Sequence, residues 1–424
     1  MLNRIALTLV FTLSFMSYMT PDLSTSVQLV PLGLFAALVF FKVLCSNAIL
    51  DAVWSLFEFD GLVFVLFISL LTIAPSVASG SEKSFESALI ISVCLILARL
   101  YMALVPIREV FEAFFWSGIV SIGLFTLLAF TSLVQSIQTL ERFSPFSFHP
   151  NLLAFLLAGY FCVMVWKFIT GDWRMKILTG LFGSLCLVIT LFTSSRGSIV
   201  GILAGCLFVV GTAIVGARRE ARKKVLRFGL FAAAVFSALF LHTKNLEWTQ
   251  NTYAFVDQVL QLSQADRGID SGFTGRLDKW KATMNVMSDG SWLVGKGFRS
   301  SDSMQDNLID NSYLVLAYEL GLVPLILITW RFLKILQRFV KSYFRPIKRE
   351  QIRFYLACSL LMVAFLVNNI VARYLFGVGN PYSLLAFLLF ATPTSRFELS
   401  PVVSAGDSRL SGRLMDCQST QLLS

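Results

Sequence analysis

The chain of 424 residues is 56% hydrophobic and 14% charged, with a mean hydropathy of +0.74. Its 26 glycines bring the apolar share to about 62%, against about 45–50% for a soluble domain, whose charged share is about 25%. A soluble fold of this length cannot hide so much apolar surface, which excludes a cytosolic enzyme, a disordered chain and a coiled coil. A polytopic membrane protein remains. Unbroken apolar runs such as Gly61 to Ser79 and Ser198 to Gly216 predict helices, because barrel strands are shorter and alternate.

In chain order about twelve spans are predicted, at 4–20, 27–44, 61–79, 87–104, 113–134, 151–169, 175–193, 197–216, 227–242, 311–333, 352–372 and 379–392. The first has a basic flank but no clear A-x-A-like cleavage site, and reads as a retained helix rather than a signal peptide. Five stretches follow: N-terminal helices over 1–134, central helices over 135–242, a long loop over 243–310, C-terminal helices over 311–392, and a polar tail over 393–424. The fold class expected is an all-α polytopic membrane protein of about 12 transmembrane helices with one long outer loop.

The net charge of +10 would point to nucleic acid in a soluble protein. Here it gathers in two loops, so no nucleic-acid partner is expected. One loop carries Arg218, Arg219, Arg222, Lys223, Lys224 and Arg227; the other carries Arg331, Lys334, Arg338, Lys341, Arg345, Lys348, Arg349 and Arg353. Positive loops stay cytoplasmic, and two spans separate these loops, so their votes agree. Both termini then lie inside, as do Arg4, Lys167, Arg174 and Lys176. The loops near 135–150 and Ser194–Gly197, and the long loop, fall outside. Its Trp248, Tyr253, Trp280 and Trp292 predict ordered amphipathic helices at the membrane surface.

Several outer segments carry candidate chemistry. In Thr193-Ser194-Ser195-Arg196-Gly197-Ser198 an arginine sits at a tight turn between apolar helices. It reads as an interfacial anchor or as a fixed guanidinium for a phosphate or carboxylate. Near Thr274, a plausible N-cap, Arg276 and Trp280 fall at i, i+4 on one helix face. That pair suits an anionic headgroup beside a sugar ring, or a plain surface helix. Gly290 to Phe298 holds Gly295-Lys296-Gly297, but the GxxxxGK[ST] pattern fails after Lys296 and no strand precedes it, so it reads as a glycine turn.

Asp310-Asn311-Ser312-Tyr313 stands where the long loop enters a span. Asp310 or Asn311 caps that helix, or Asp310 serves as a base on a hydroxyl. Glu319 is a buried acid by position, a site candidate or a partner of Arg373. His149-Pro150-Asn151 opens another span, and Asn368, Asn369 and Arg373 cluster at the outer end of span eleven. The seven cysteines show neither CxxC nor metal spacing, and two histidines argue against a histidine-rich metal centre.

The ordered set His149-Pro150-Asn151, Ser195-Arg196-Gly197, Gly275-Arg276 with Trp280, Gly295-Lys296-Gly297-Phe298, Asn311-Ser312-Tyr313-Leu314 and Glu319-Leu320-Gly321-Leu322 resembles the O-antigen ligase and O-antigen polymerase (Wzy-type) family of integral membrane glycosyltransferases. The resemblance covers about residues 145–335. It implies a multi-pass protein of the bacterial inner membrane, GT-C-like in arrangement, with one long periplasmic loop and a periplasmic active site. It implies an undecaprenyl-diphosphate-linked saccharide as substrate, membrane lipid and a chain-length regulator protein as partners, and no metal, nucleotide sugar or other cofactor. In the family, arginines matched by Arg196 and Arg276 bind the departing diphosphate.

By that resemblance Asp310, Arg196 and Arg276 are expected to be catalytic. His149, Asn151, Trp280, Lys296, Asn311, Tyr313, Glu319 and Arg373 are expected to bind substrate. Ligases of the family typically have His-Asn where this chain has Asp310-Asn311, which favours polymerisation of repeat units over ligation to lipid A core or protein. A flippase or transporter would spread charge through mid-membrane depth and pair Gly/Pro breaks between halves. Here the candidate charges gather at one face.

Overall fold

The computed structural model describes residues 2–17, 25–46, 49–57, 59–139, 141–147, 149–216, 254, 257, 276–287, 292–303, 311–344, 349–375 and 380–393. The described residues form helices and no strand. The N-terminal group is α1 (Leu2–Met16), α2 (Thr25–Leu44), α3 (Ile49–Phe57), α4 (Phe59–Ala78), α5 (Glu82–Leu104), α6 (Ile107–Leu128) and α7 (Phe130–Thr139). The central group is α8 (Pro150–Thr170), α9 (Trp173–Phe192) and α10 (Arg196–Gly216). Then come α11 (Arg276–Met287), α12 (Ser312–Leu320), α13 (Leu322–Tyr343), α14 (Arg349–Asn368) and α15 (Pro381–Ala391).

Among the described residues, six helices are long and apolar enough to cross a membrane: Glu82–Leu104, Ile107–Leu128, Pro150–Thr170, Trp173–Phe192, Arg196–Val215 and Glu350–Asn368. Local chemistry sets their ends. Asp172 accepts from the Met175 amide at 2.9 Å to start α9, and Pro150 and Pro381 open α8 and α15 without needing an N–H partner. The expected span at 227–242 and most of the 243–310 loop lie outside the described residues.

Two expectations are corrected. The span expected at 311–333 is two helices, because Gly321 breaks the run at φ +94, a region closed to side chains. The second of the pair does not stop at 333. It continues to Tyr343, since Ile328, Phe332, Ile335 and Phe339 keep an apolar stripe buried while charges occupy the other face. Arg331, counted above with a basic loop, is therefore buried inside α13. It donates to the carbonyls of Phe390 (3.3 Å) and Thr392 (2.9 Å), and the fully buried Arg99 donates to Ala391 (3.2 Å) and Ser55 (3.0 Å). Two guanidiniums thus satisfy the C-terminal carbonyls of α15, where the helix dipole is negative.

The core is one aromatic-rich cluster. Tyr382 lies tilted against Phe155 (4.8 Å) and edge-on to Phe365 (5.0 Å), and Tyr160 lies 4.6 Å from Phe114. The tightest helix pair is α10 on α14. Glycines recur every fourth residue along α10: a Cβ at Gly201 would stand 2.9 Å from the Ala364 carbonyl, and one at Gly205 2.8 Å from that of Leu360. Such small-residue stripes let backbones meet closely.

One end of the bundle is tied by ions. Glu112 of α6 holds Arg4 (3.2 Å) and Lys167 (2.6 Å), Arg108 pairs with Glu350, and Arg353 donates to the Ile169 carbonyl (3.3 Å). Arg4, Lys167 and Arg353, which the charge bias assigned to one side, are at this one end.

Candidate functional site

The other end of the bundle gathers the polar helix termini. Between α9 and α10 the chain turns through Ser194 at φ +54, in a left-handed conformation unusual for a side-chain residue. Thr193, Ser194, Ser195 and Ser198 are buried there, and Arg196 opens α10 half-buried. The close approach of α10 to α14 brings Ser198 Oγ within 3.0 Å of Asn368 Nδ2, and Ser195 within 3.3 Å of Ser198. The glycine stripe therefore positions the Arg196 turn directly against the end of α14.

The next residue on α14 carries the junction further. Asn369 Oδ1 accepts from Ser312 Oγ at 2.7 Å, and the Ser312 amide donates to the carbonyls of Asn369 (3.0 Å) and Ala372 (2.9 Å). The start of α12 is thereby pinned to the end of α14. Asn311 is the cap of α12: its Oδ1 accepts from the amides of Tyr313 (2.9 Å) and Leu314 (3.1 Å). Tyr313 donates its hydroxyl to the Leu366 carbonyl at 2.8 Å.

Glu319 is buried, but not deep in a continuous span. It accepts a hydrogen bond from Ser301, whose hydroxyl accepts from Arg373 Nη2 at 3.0 Å. The same guanidinium pairs with Asp302, and Asp302 also pairs with Arg299 at 2.8 Å. The expected partnership of Glu319 and Arg373 exists, bridged by a serine hydroxyl. The glycine turn seats this network. The Lys296 and Gly297 amides donate to the carbonyls of Tyr318 and Glu319 (both 2.9 Å), and Phe298 N donates to Ser76 Oγ at 3.0 Å. The turn thus caps α12 where Gly321 breaks the helix.

Lys296 stands over the Tyr318 ring at 5.6 Å, and Trp280 of α11 packs on Val315 and Tyr318. The Arg276 helix is thus fastened to α12. Asn151 of α8 accepts from Arg142 at 3.0 Å, and Arg142 also donates to the Thr193 carbonyl at 2.9 Å. His149 sits exposed at the start of α8 and does not cap it through its side chain.

Asn151, Arg196, Asn311, Tyr313, Lys296, Glu319 and Arg373 are thus joined through one run of contacts, with Arg276 and Trp280 attached to it by α11. Asp310 and Thr274 lie outside the described residues. Arg142, Ser301 and Asp302 were not singled out above. Arg142 carried a usable signal, a charge on an outer loop beside an apolar run. Ser301 and Asp302 had none.

Among the described residues, a helical bundle with six membrane-length helices and a polar, arginine-bearing cluster at one end is the architecture of a multi-pass membrane protein. Residues 181–329, from α9 into α13, match the family model described as O-antigen ligase. The match spans Arg196, Arg276, Trp280, Lys296 and Glu319. The chain matches no curated protein.

Proposed function

We propose that the protein polymerises a surface polysaccharide, transferring undecaprenyl-diphosphate-linked oligosaccharide repeat units onto one another at the outer face of the inner membrane. The observation that carries this is the assembly of guanidiniums and polar helix ends at one end of an apolar bundle, with Arg196 in a turn fixed by Ser198–Asn368. An acceptor hydroxyl attacks the anomeric carbon, the new glycosidic bond forms, and the bond to the lipid diphosphate breaks. Asp310 takes the hydroxyl proton. Arg196 and Arg276 stabilise the charge that accumulates on the leaving diphosphate, and Arg373 binds substrate. Trp280 and Lys296 flank the saccharide.

Two basic loops support cytoplasmic termini and a periplasmic site. A chain-length regulator is the partner this reaction would take. Ligation to lipid A core or protein is the second reading, favoured by the description of the matched family. Purified protein incubated with lipid-linked repeats alone separates the two. A ladder of longer chains is expected; no elongation until a second acceptor is added would replace polymerisation by ligation.

A further inference from the structure

At the ion-paired end, away from the polar cluster, the helices leave a cavity of about 230 Å³. Arg108, Trp166, Glu350, Gln351, Phe354 and Tyr355 line it. Trp166 is only 2% exposed, and its indole N–H is buried with no hydrogen-bond acceptor among the described residues. An interfacial tryptophan normally turns that N–H to water or headgroups. Here Phe354 packs edge-on at 5.2 Å and Lys167 stands 4.4 Å over the ring, which holds the indole in place. An unpaired buried donor is destabilising, so an acceptor that enters the cavity recovers that cost.

The mouth carries both signs of charge. Arg108 pairs with Glu350 through Nη2 and one carboxylate oxygen, Oε1, and its Nε lies 4.0 Å from Glu112. Its Nη1 and the other Glu350 oxygen have no partner among the described residues, and both residues are more than half exposed. A guanidinium and an indole N–H receive a phosphate, while the carboxylate beside them receives an amine.

We propose that this cavity binds the headgroup of a zwitterionic aminophospholipid, its phosphate on Arg108 and Trp166 and its ammonium on Glu350. The aromatic wall of Phe354 and Tyr355 covers the glycerol end. A purely anionic lipid would leave Glu350 facing a phosphate, which is repulsive. The site needs only a membrane-embedded bundle and stands whether the protein polymerises or ligates.

Native mass spectrometry of the full-length protein with phosphatidylethanolamine, phosphatidylglycerol and soluble O-phosphoethanolamine tests it. Phosphatidylethanolamine should be retained over phosphatidylglycerol, and O-phosphoethanolamine should displace it. Trp166→Phe keeps the ring packing and removes the N–H; it should lower retention about fivefold with the melting temperature unchanged. Glu350→Gln, at an exposed position, should shift preference toward phosphatidylglycerol. Equal retention of both lipids, wild-type retention by Trp166→Phe, or no displacement by the soluble headgroup overturns the proposal.

Discussion

Arg196 and Arg276 are the side chains on which the proposed chemistry depends. Replacing either by alanine should lower glycan formation by about 10²–10³-fold, as loss of a preorganised charge stabiliser does, while the protein remains inserted. Arg276→Lys should be partly defective, because lysine loses the planar fork that grips two phosphate oxygens. Asp310→Asn keeps the ability to cap a helix and removes basicity, so turnover in a reconstituted assay should fall if Asp310 takes the acceptor proton and hold if it only caps. Ser301→Ala should destabilise by about 1–3 kcal/mol in thermal melts, since Glu319 would lose a buried donor and Arg373 one of its partners. The Arg196 turn was legible from sequence because a charge between two apolar runs is costly and demands a reason. The Arg373–Ser301–Glu319 bridge was not: it joins residues far apart in the chain that share no periodicity.

Helices were legible where lipid dictates them. A run of apolar residues in a membrane can only be a helix, and α5, α8, α9 and α10 lie where hydropathy put them, whereas the span expected at 113–134 is α6, which starts and ends six residues earlier, followed by the separate α7. The break at Gly321 was hidden because Leu320, Leu322 and Val323 keep hydropathy high across it. The continuation of α13 to Tyr343 was hidden because charges interrupted the apolar count before the amphipathic stripe ended. Both differences follow from tertiary contacts: the Lys296 and Gly297 amides need the α12 carbonyls, and the stripe needs a core to pack on. Gly321→Ala should therefore cost about 1–3 kcal/mol in backbone strain alone, and more because its Cβ would strike the Leu293 carbonyl. Gly201→Leu should push α10 from α14, separate Ser198 from Asn368, and reduce activity with the Arg196 side chain intact; wild-type turnover in that variant would detach the site from the helix packing.

Across the whole molecule, the proposed topology and the proposed chemistry draw on different charges. The +10 net charge reports mainly on orientation, whereas the candidate chemistry rests on a few arginines at the opposite end, among surroundings that bulk counting conceals. Reporter fusions after residues 216 and 344 should both report a cytoplasmic location. A periplasmic report at either would invert the proposed topology and move the site to the wrong face.

The most direct test is to follow lipid diphosphate release and glycan lengthening together in proteoliposomes given lipid-linked repeats, with wild-type, Arg196→Ala and Arg276→Ala proteins. Under the proposed mechanism the wild type releases one diphosphate per bond formed, and both signals are lost in parallel in each variant. Normal-length glycan from both variants would contradict it.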